Sequence, residues 1–253
     1  MELLILVILF VGGVFTELYA SSVGGGVLIT FPLLILSGLS TLAAIATHRL
    51  SIVLLEFSSA AMFYKKKKPD MRLGVFLGIV AAAGSFIGSN IVIKINEKYL
   101  NLIVAVMFFM IVLVLYHKDK LGIKEKKVTH TNLGIAAVFT FFLGIYGGFF
   151  GGGFGTFIMF LLLMLGFTFI ESAATGRVIG FMMSSAAALV FALNGLINYP
   201  YALSLGFGCA VGSFLGVNIA VKKGNRVIRM MFIAIIILTI IKLLLGFFGI
   251  SLF

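Results

Sequence analysis

Two arginines lie within apolar sequence, and each ends a copy of the same short motif. The first copy, Ala-Thr-His-Arg, ends at Arg49, and the second, Ala-Thr-Gly-Arg, ends at Arg177, 128 positions later. A guanidinium is planar and permanently charged, and it can bind two oxygens of an oxyanion at once. The two arginines are therefore candidates for anion binding, and the nearby hydroxyls of Thr47 and Thr175 are candidate donors to the same anion.

Charge pairing inside the protein is the alternative use of these arginines. Three carboxylates, Glu17, Glu56 and Glu171, also lie in apolar sequence. Arg49 and Glu56 are seven residues apart, which places them on one face of a helix, two turns away from each other. A carboxylate in such a setting can also carry a proton. The three glutamates are therefore candidates for proton coupling, and none of them has a counterpart in the other copy of the sequence.

Two glycine triplets precede short apolar stretches at matching places in the chain. Glycines let the backbone unwind, and the free N–H groups at the start of the next helix can bind an anion. Close packing of helices is the other reason to find glycine in a membrane segment. The candidates for backbone contact with an anion are Gly24, Gly25, Gly26, Gly151, Gly152 and Gly153.

A longer motif repeats at the same offset as the arginines. The pattern Gly-Ser-Phe-x-Gly-x-Asn ends once at Asn90 and once at Asn218. The chain therefore consists of two copies of one unit. The two asparagines could form hydrogen bonds between helices or contact a substrate.

The composition indicates a membrane protein that crosses the bilayer several times. Of 253 residues, 62% are hydrophobic and 11% are charged, and the mean hydropathy is +1.24. A soluble domain carries roughly a quarter of charged residues. The net charge of +11 comes largely from lysines in the loops, which is typical of cytoplasmic loops rather than of a surface for nucleic acid. No metal-binding or catalytic spacing occurs, so we expect neither a cofactor nor an enzyme.

Apolar stretches predict ten helical segments, five in each copy. Eight are long, and two short ones follow the glycine triplets. At 1.5 Å per residue the short segments reach only about 21 to 22 Å, less than the roughly 30 Å hydrocarbon core. The predicted long helices are 2–22, 40–64, 71–93, 98–117, 132–149, 168–193, 199–221 and 226–248, and the short ones are 25–38 and 152–166.

These segments divide into a first membrane repeat at 1–117, a basic cytoplasmic linker at 118–131 and a second repeat at 132–253. If both short segments cross the bilayer, the repeats are inverted and all three basic loops face the cytoplasm. If the short segments are re-entrant, the repeats are parallel and the basic cluster at 222–229 faces outward. The preference for positive charge in the cytoplasm favours the inverted repeat.

The residues that carry these patterns resemble the TauE/SafE family. The resemblance rests on the glycine triplet before an apolar run with Pro32, on the Ala-Thr-x-Arg motif and on the pattern of glycines and lysines at 212–226. It covers both halves of the chain. The family consists of sulfite exporter-like permeases, so the resemblance implies a multi-pass protein of a prokaryotic plasma membrane that exports sulfite or organosulfonates. We therefore expect a secondary transporter of small anions that works by alternating access around a site between the repeats.

Several alternatives agree with the same residues. The chain could be an uptake permease or a channel for another organic anion, or an accessory subunit that does not transport. The expected partners are a small anionic substrate, the lipid bilayer and a second copy in a homodimer, and no nucleic acid.

Overall fold

A computed structural model describes residues 2–23, 26–66, 69–117 and 130–219, together with Leu245. Every element within those ranges is helical, which confirms the predicted all-α fold. Apart from Leu245, the predicted helix 226–248 lies outside the described residues, as does the linker up to residue 129. The helices are α1 (Glu2–Val23), α2 (Val27–Leu36), α3 (Thr41–Lys66), α4 (Met71–Ile93), α5 (Glu97–His117), α6 (His130–Phe149), α7 (Phe154–Met164), α8 (Phe169–Leu193) and α9 (Tyr199–Ile219).

Three of the described helices are long and apolar enough to cross a membrane. They are Thr41–Tyr64, Met71–Ile93 and Ile170–Leu193. Local capping sets where two of them begin. The Asp70 side chain accepts the N–H of Leu73 at the start of α4, and a capping box of Thr168 and Glu171 opens α8.

The two short helices are shorter than the sequence predicted, with 10 residues in α2 and 11 in α7. Each ends at a glycine with positive φ, Gly38 at 93° and Gly166 at 95°. The N–H after each glycine bonds to the carbonyl five residues earlier, from Leu39 to Leu34 and from Phe167 to Leu162. This is the Schellman end of a helix, so the predicted segments included the turn as well as the helix. At 1.5 Å per residue the helices measure about 15 and 17 Å.

Two pairs of helices pack closely, and each pair takes one helix from each half of the chain. Helix α1 packs along α9, and α6 packs along α4. Gly208 lies against Phe10 and Gly212 against Val14, so the contacts advance in the same direction along both helices. The second pair is built in the same way, with Gly144 against the backbone of Ala81. Small residues let the backbones approach, which is how membrane helices gain packing energy.

We expect Gly148→Ala to destabilise the protein by about 2 kcal/mol, because a methyl group there would meet the carbonyl oxygen of Ser85 on α4. Gly134→Ala on the same helix is the matched control, since no atom lies within 4 Å of the added carbon. Thermal unfolding in detergent measures both variants. Equal unfolding temperatures for the two would show that α4 and α6 do not depend on this close approach.

Two of the hydrogen bonds between the halves form a matched pair. The N–H of Asn198 donates to Thr47 Oγ1 at 3.0 Å, and the N–H of Asp70 donates to Thr175 Oγ1 at 3.1 Å. The two donors are themselves 128 positions apart, as are the two threonines. The chain just after α3 therefore lies beside the start of α8, and the chain just after α8 lies beside the start of α3. The orientation of the repeats in the bilayer stays a prediction.

Candidate functional site

Arg49 is the largest fully buried side chain of the described residues and is 2% exposed. It projects from α3 across to the other half of the chain, where one of its terminal nitrogens donates to the carbonyl oxygen of Phe150. Its Nε atom has no hydrogen-bond partner. Within the described residues no carboxylate forms an ion pair with it. A cation in the protein interior normally requires a paired anion, so Arg49 is a centre of uncompensated positive charge.

The second glycine triplet, Gly151 to Gly153, lies beside the guanidinium of Arg49. Gly151 and Gly153 have φ angles of +70° and +79°, a conformation that favours glycine. A side chain at Gly151 would overlap the guanidinium of Arg49, so the arginine would have to move away from Phe150 to make room. Gly153 precedes α7 without a side-chain cap. The N–H groups of Gly152 and Gly153, just before α7, donate to none of the described residues, which leaves both as available donors.

Tyr146 holds this glycine segment in place. Its hydroxyl donates to the carbonyl oxygen of Gly152, and its own carbonyl accepts the N–H of Gly151 at 3.0 Å. The sequence prediction did not include Tyr146. The signal that could have found it is a tyrosine one turn and a half before a glycine triplet, in a chain with only seven tyrosines.

Arg177 has a different environment from its repeat mate. Its Nη1 atom lies 3.3 Å from Glu56 Oε2, so the ion pair joins α8 to α3. The alternative predicted from spacing was a pair between Glu56 and Arg49 on one helix. Instead, Glu56 pairs with the arginine of the other half, because α3 and α8 pack against each other at this level.

Glu17 lies next to this ion pair and is 4% exposed. It interacts electrostatically with both Arg177 and Glu56, and its carboxylate packs against Gly26 at the start of α2. The structure thus brings together two of the three predicted proton-coupling carboxylates. Gly24 and Gly25 of the same triplet lie outside the described residues.

His48 and Thr30 link α3 to α2 between the two arginine environments. The His48 ring nitrogen Nε2 and Thr30 Oγ1 are 2.8 Å apart, and that hydroxyl also donates to the carbonyl of Gly26 at 3.0 Å. Both side chains are buried. A threonine hydroxyl has one hydrogen to donate, so His48 donates to Thr30 when Thr30 donates to Gly26.

Four other predicted residues have structural partners or lie elsewhere. Thr47 and Thr175 accept backbone N–H groups at the junctions between the halves. The Asn90 amide donates to the Phe86 carbonyl of its own helix at 2.8 Å. Glu171 belongs to the capping box at the start of α8. Their part in binding or coupling stays a prediction, as does that of Asn218, whose side chain lies outside the described residues.

Metal binding finds no support in the part of the chain that the structure describes. No group of three or more histidine, cysteine, aspartate or glutamate side chains is placed there to hold a metal ion. The chemistry available at the site is therefore that of charges, hydroxyls and backbone N–H groups.

Comparisons with known proteins identify relatives named as membrane transporters. The family profile described as Sulfite exporter TauE/SafE matches residues 9–243. A probable membrane transporter protein of Haemophilus influenzae is 30% identical over 229 residues, which cover 90% of this chain and 89% of the relative. The probable membrane transporter protein YfcA of Escherichia coli K12 is 26% identical over 245 residues, covering 95% and 90%.

A relative from Bacillus subtilis, the probable membrane transporter protein YunE, is 28% identical and covers 85% of this chain and 88% of its own. No solved structure matches the chain. The match extends over both halves, including the two arginine motifs and the glycine triplets. The chain therefore belongs to the TauE/SafE family and is a multi-pass membrane transporter of a prokaryotic plasma membrane.

Proposed function

We propose that this protein is a secondary transporter of small oxyanions, with sulfite and organosulfonates as the substrate class and export as the direction. The anion binds at Arg49, between the two halves of the chain. The N–H groups of Gly152 and Gly153 donate to it, and Arg177 reaches it when the ion pair with Glu56 opens. Thr47 and Thr175 are secondary hydroxyl donors.

The uncompensated charge of Arg49 is the observation that carries the proposal. The side chain is 2% exposed, its Nε atom is unpartnered, and its only acceptor among the described residues is the carbonyl of Phe150. Burying a charge costs several kcal/mol unless a counter-charge is present. A substrate anion would supply that counter-charge, so its binding would offset part of the free-energy cost of burying Arg49.

Two features favour a sulfur oxyanion over other anions. A guanidinium fork matches two oxygens held on one atom, as in a sulfonate or sulfite group. The family profile that matches this chain is itself named for sulfite export. A carboxylate would satisfy the same fork, so carboxylates are the comparison class in the experiment below.

Alternating access needs two bodies that can move around the site, and we take as these bodies two groups of three helices that meet where α3 packs on α8. Helices α1, α3 and α9 pack together, and α4, α6 and α8 form the equivalent group. Arg49 of the first group contacts Phe150, which follows α6, and Arg177 of the second group contacts Glu56. The buried charges thus lie between the groups, where a rocking motion would expose them to one side and then the other.

Binding by the purified protein tests this proposal first. We expect methanesulfonate, sulfite or sulfoacetate to raise the unfolding temperature in detergent, and acetate at equal ionic strength to raise it less, because mass action favours a folded state that binds ligand. Reconstitution of the chain alone into liposomes then measures efflux. Uptake without efflux would indicate an uptake permease, and binding without any flux would indicate an accessory subunit. Equal shifts for all anions would remove the preference for sulfur oxyanions.

A further inference from the structure

The two arginines lie in environments of opposite charge balance, although the sequence makes them equivalent. Around Arg49 the described residues supply no carboxylate, so the local balance is one positive charge. Around Arg177 there are two carboxylates, Glu56 in an ion pair and Glu17 beside it. With all three ionised, that cluster carries one negative charge.

The carboxylate cluster is built from four helices. Glu17 comes from α1, Glu56 from α3 and Arg177 from α8, and Cys209 on α9 lies within electrostatic range of Glu17. From α2 the neighbour is the uncharged Gly26. Gly180 of α8 leaves space for the Glu56 carboxylate, which lies 3.0 Å from where a methyl carbon would stand. Among the described groups that face the cluster, Arg177 is the one cation, and it cannot neutralise both carboxylates.

The surroundings of Arg49 and the carboxylate cluster around Arg177 are close together but distinct. Arg49 and Glu56 are seven residues apart on α3, which corresponds to about 10.5 Å along the helix axis. With His48 neutral, the charges of the four groups Arg49, Arg177, Glu17 and Glu56, of which Arg49 and Glu17 are buried and the other two partly buried, sum to zero when the site is empty. Binding a monovalent anion at Arg49 alone would leave the core with one net negative charge. One proton on the carboxylate cluster would restore zero.

We propose that the Glu17–Glu56–Arg177 cluster is a second binding site, for one proton, and that this proton moves in the same direction as the anion bound at Arg49. The four groups are neutral overall both in the empty form and in the form that holds anion and proton, so either form can change from one open side to the other without a net charge in the low-dielectric centre of the membrane. A form that holds only the anion or only the proton carries a net charge at the site, which disfavours the conformational change between the two open states. The inference rests on the proposed function and specifies its coupling: one anion and one proton together, with no net charge moved.

Proteoliposomes with radiolabelled methanesulfonate test the coupling, because this anion keeps a single negative charge at every pH used. We expect a pH gradient alone, acid on the side where the anion is added, to drive accumulation while potassium and valinomycin clamp the potential at zero. A physiological potential without a pH gradient should leave accumulation unchanged. If one net charge moved with each cycle, a potential of about 100 mV would change accumulation about 50-fold.

Substitution of a carboxylate in the Glu17–Glu56–Arg177 cluster tests whether the proton binds there. Glu17→Gln should lose the accumulation driven by the pH gradient but keep thermal stabilisation by methanesulfonate, since Arg49 is intact. Glu2→Gln is the matched control, because Glu2 is an exposed carboxylate at the start of the same helix. If Glu17→Gln fails to fold, Glu56→Gln provides the same test of the site, while the comparison of pH gradient and potential in the wild type tests the coupling itself.

The outcomes separate the two proposals. Accumulation driven by the potential, or a normal response to the pH gradient in both Glu17→Gln and Glu56→Gln, would overturn the proton site and leave the anion transporter standing. Absence of both binding and flux with every anion tested would remove the proposed function itself, and the proton site with it.

Discussion

Arg49→Gln is expected to abolish anion binding and transport while leaving a folded protein in the membrane. A charge-assisted hydrogen bond contributes about 1.5 to 3 kcal/mol, so losing the guanidinium fork should weaken binding at least about 100-fold. Glutamine can still donate to the carbonyl of Phe150, which keeps the contact between the halves. Titration of methanesulfonate by thermal shift measures the affinity, and efflux from proteoliposomes measures transport.

The stability of the same variant provides a second, independent check. Arg49 is buried without a carboxylate partner among the described residues, so its charge costs folding energy in the absence of substrate. Arg49→Gln should therefore unfold at the same temperature as the wild type without anion, or at a higher one. A large loss of stability would indicate that Arg49 has a structural counter-charge. Normal transport would exclude it from the mechanism.

Arg177→Gln is expected to destabilise the protein by about 3 kcal/mol, the lower end of the range for breaking a buried ion pair. The lower end applies because both side chains keep some exposure, 23% for Arg177 and 12% for Glu56. The variant leaves the Glu56 and Glu17 carboxylates near each other without a cation. Equilibrium or thermal unfolding in detergent measures the loss, and its sign is opposite to that expected for Arg49→Gln.

A double-mutant cycle separates the pair from its surroundings. Glu56→Gln should cost less than Arg177→Gln, because Glu17 still interacts with the arginine. Combining the two substitutions should recover part of the stability lost in Arg177→Gln, since no unpaired charge of the pair remains. Additive losses would show that the two side chains do not act as a pair. The cycle also provides folded variants for the transport measurements.

Local patterns in the sequence were sufficient for the fold class, for most helix positions and for the family. Long apolar runs predict helices wherever they occur, and the two glycine triplets marked the short helices α2 and α7. The C-terminal ends of those helices were misplaced by two residues, because the glycines Gly38 and Gly166 close a turn that is apolar in sequence but not helical. Residues such as Arg49 and Glu17 were identifiable as candidates, since a charge in apolar sequence is unusual by itself.

The difference between the two arginines depended on the tertiary structure. The duplication alone predicts equivalent roles, because it aligns Arg49 with Arg177. The contact of Arg49 with Phe150 spans 101 positions, and that of Arg177 with Glu56 spans 121. Glu17, Glu56 and Tyr146 align with Ile145, Ser184 and Leu18 in the other half, so the surroundings of the two arginines cannot match.

The sequence by itself determined which residues are costly to bury and that they belong to two copies of one helical unit. Hydropathy and repetition are properties of neighbours along the chain, so they can be read without coordinates. The tertiary structure alone decided that Arg49 lacks a carboxylate partner among the described residues and that Glu56 belongs to Arg177. Those pairings depend on which helix faces meet when the two halves pack, and that is settled by side-chain shape and close glycine contacts between segments far apart in the chain.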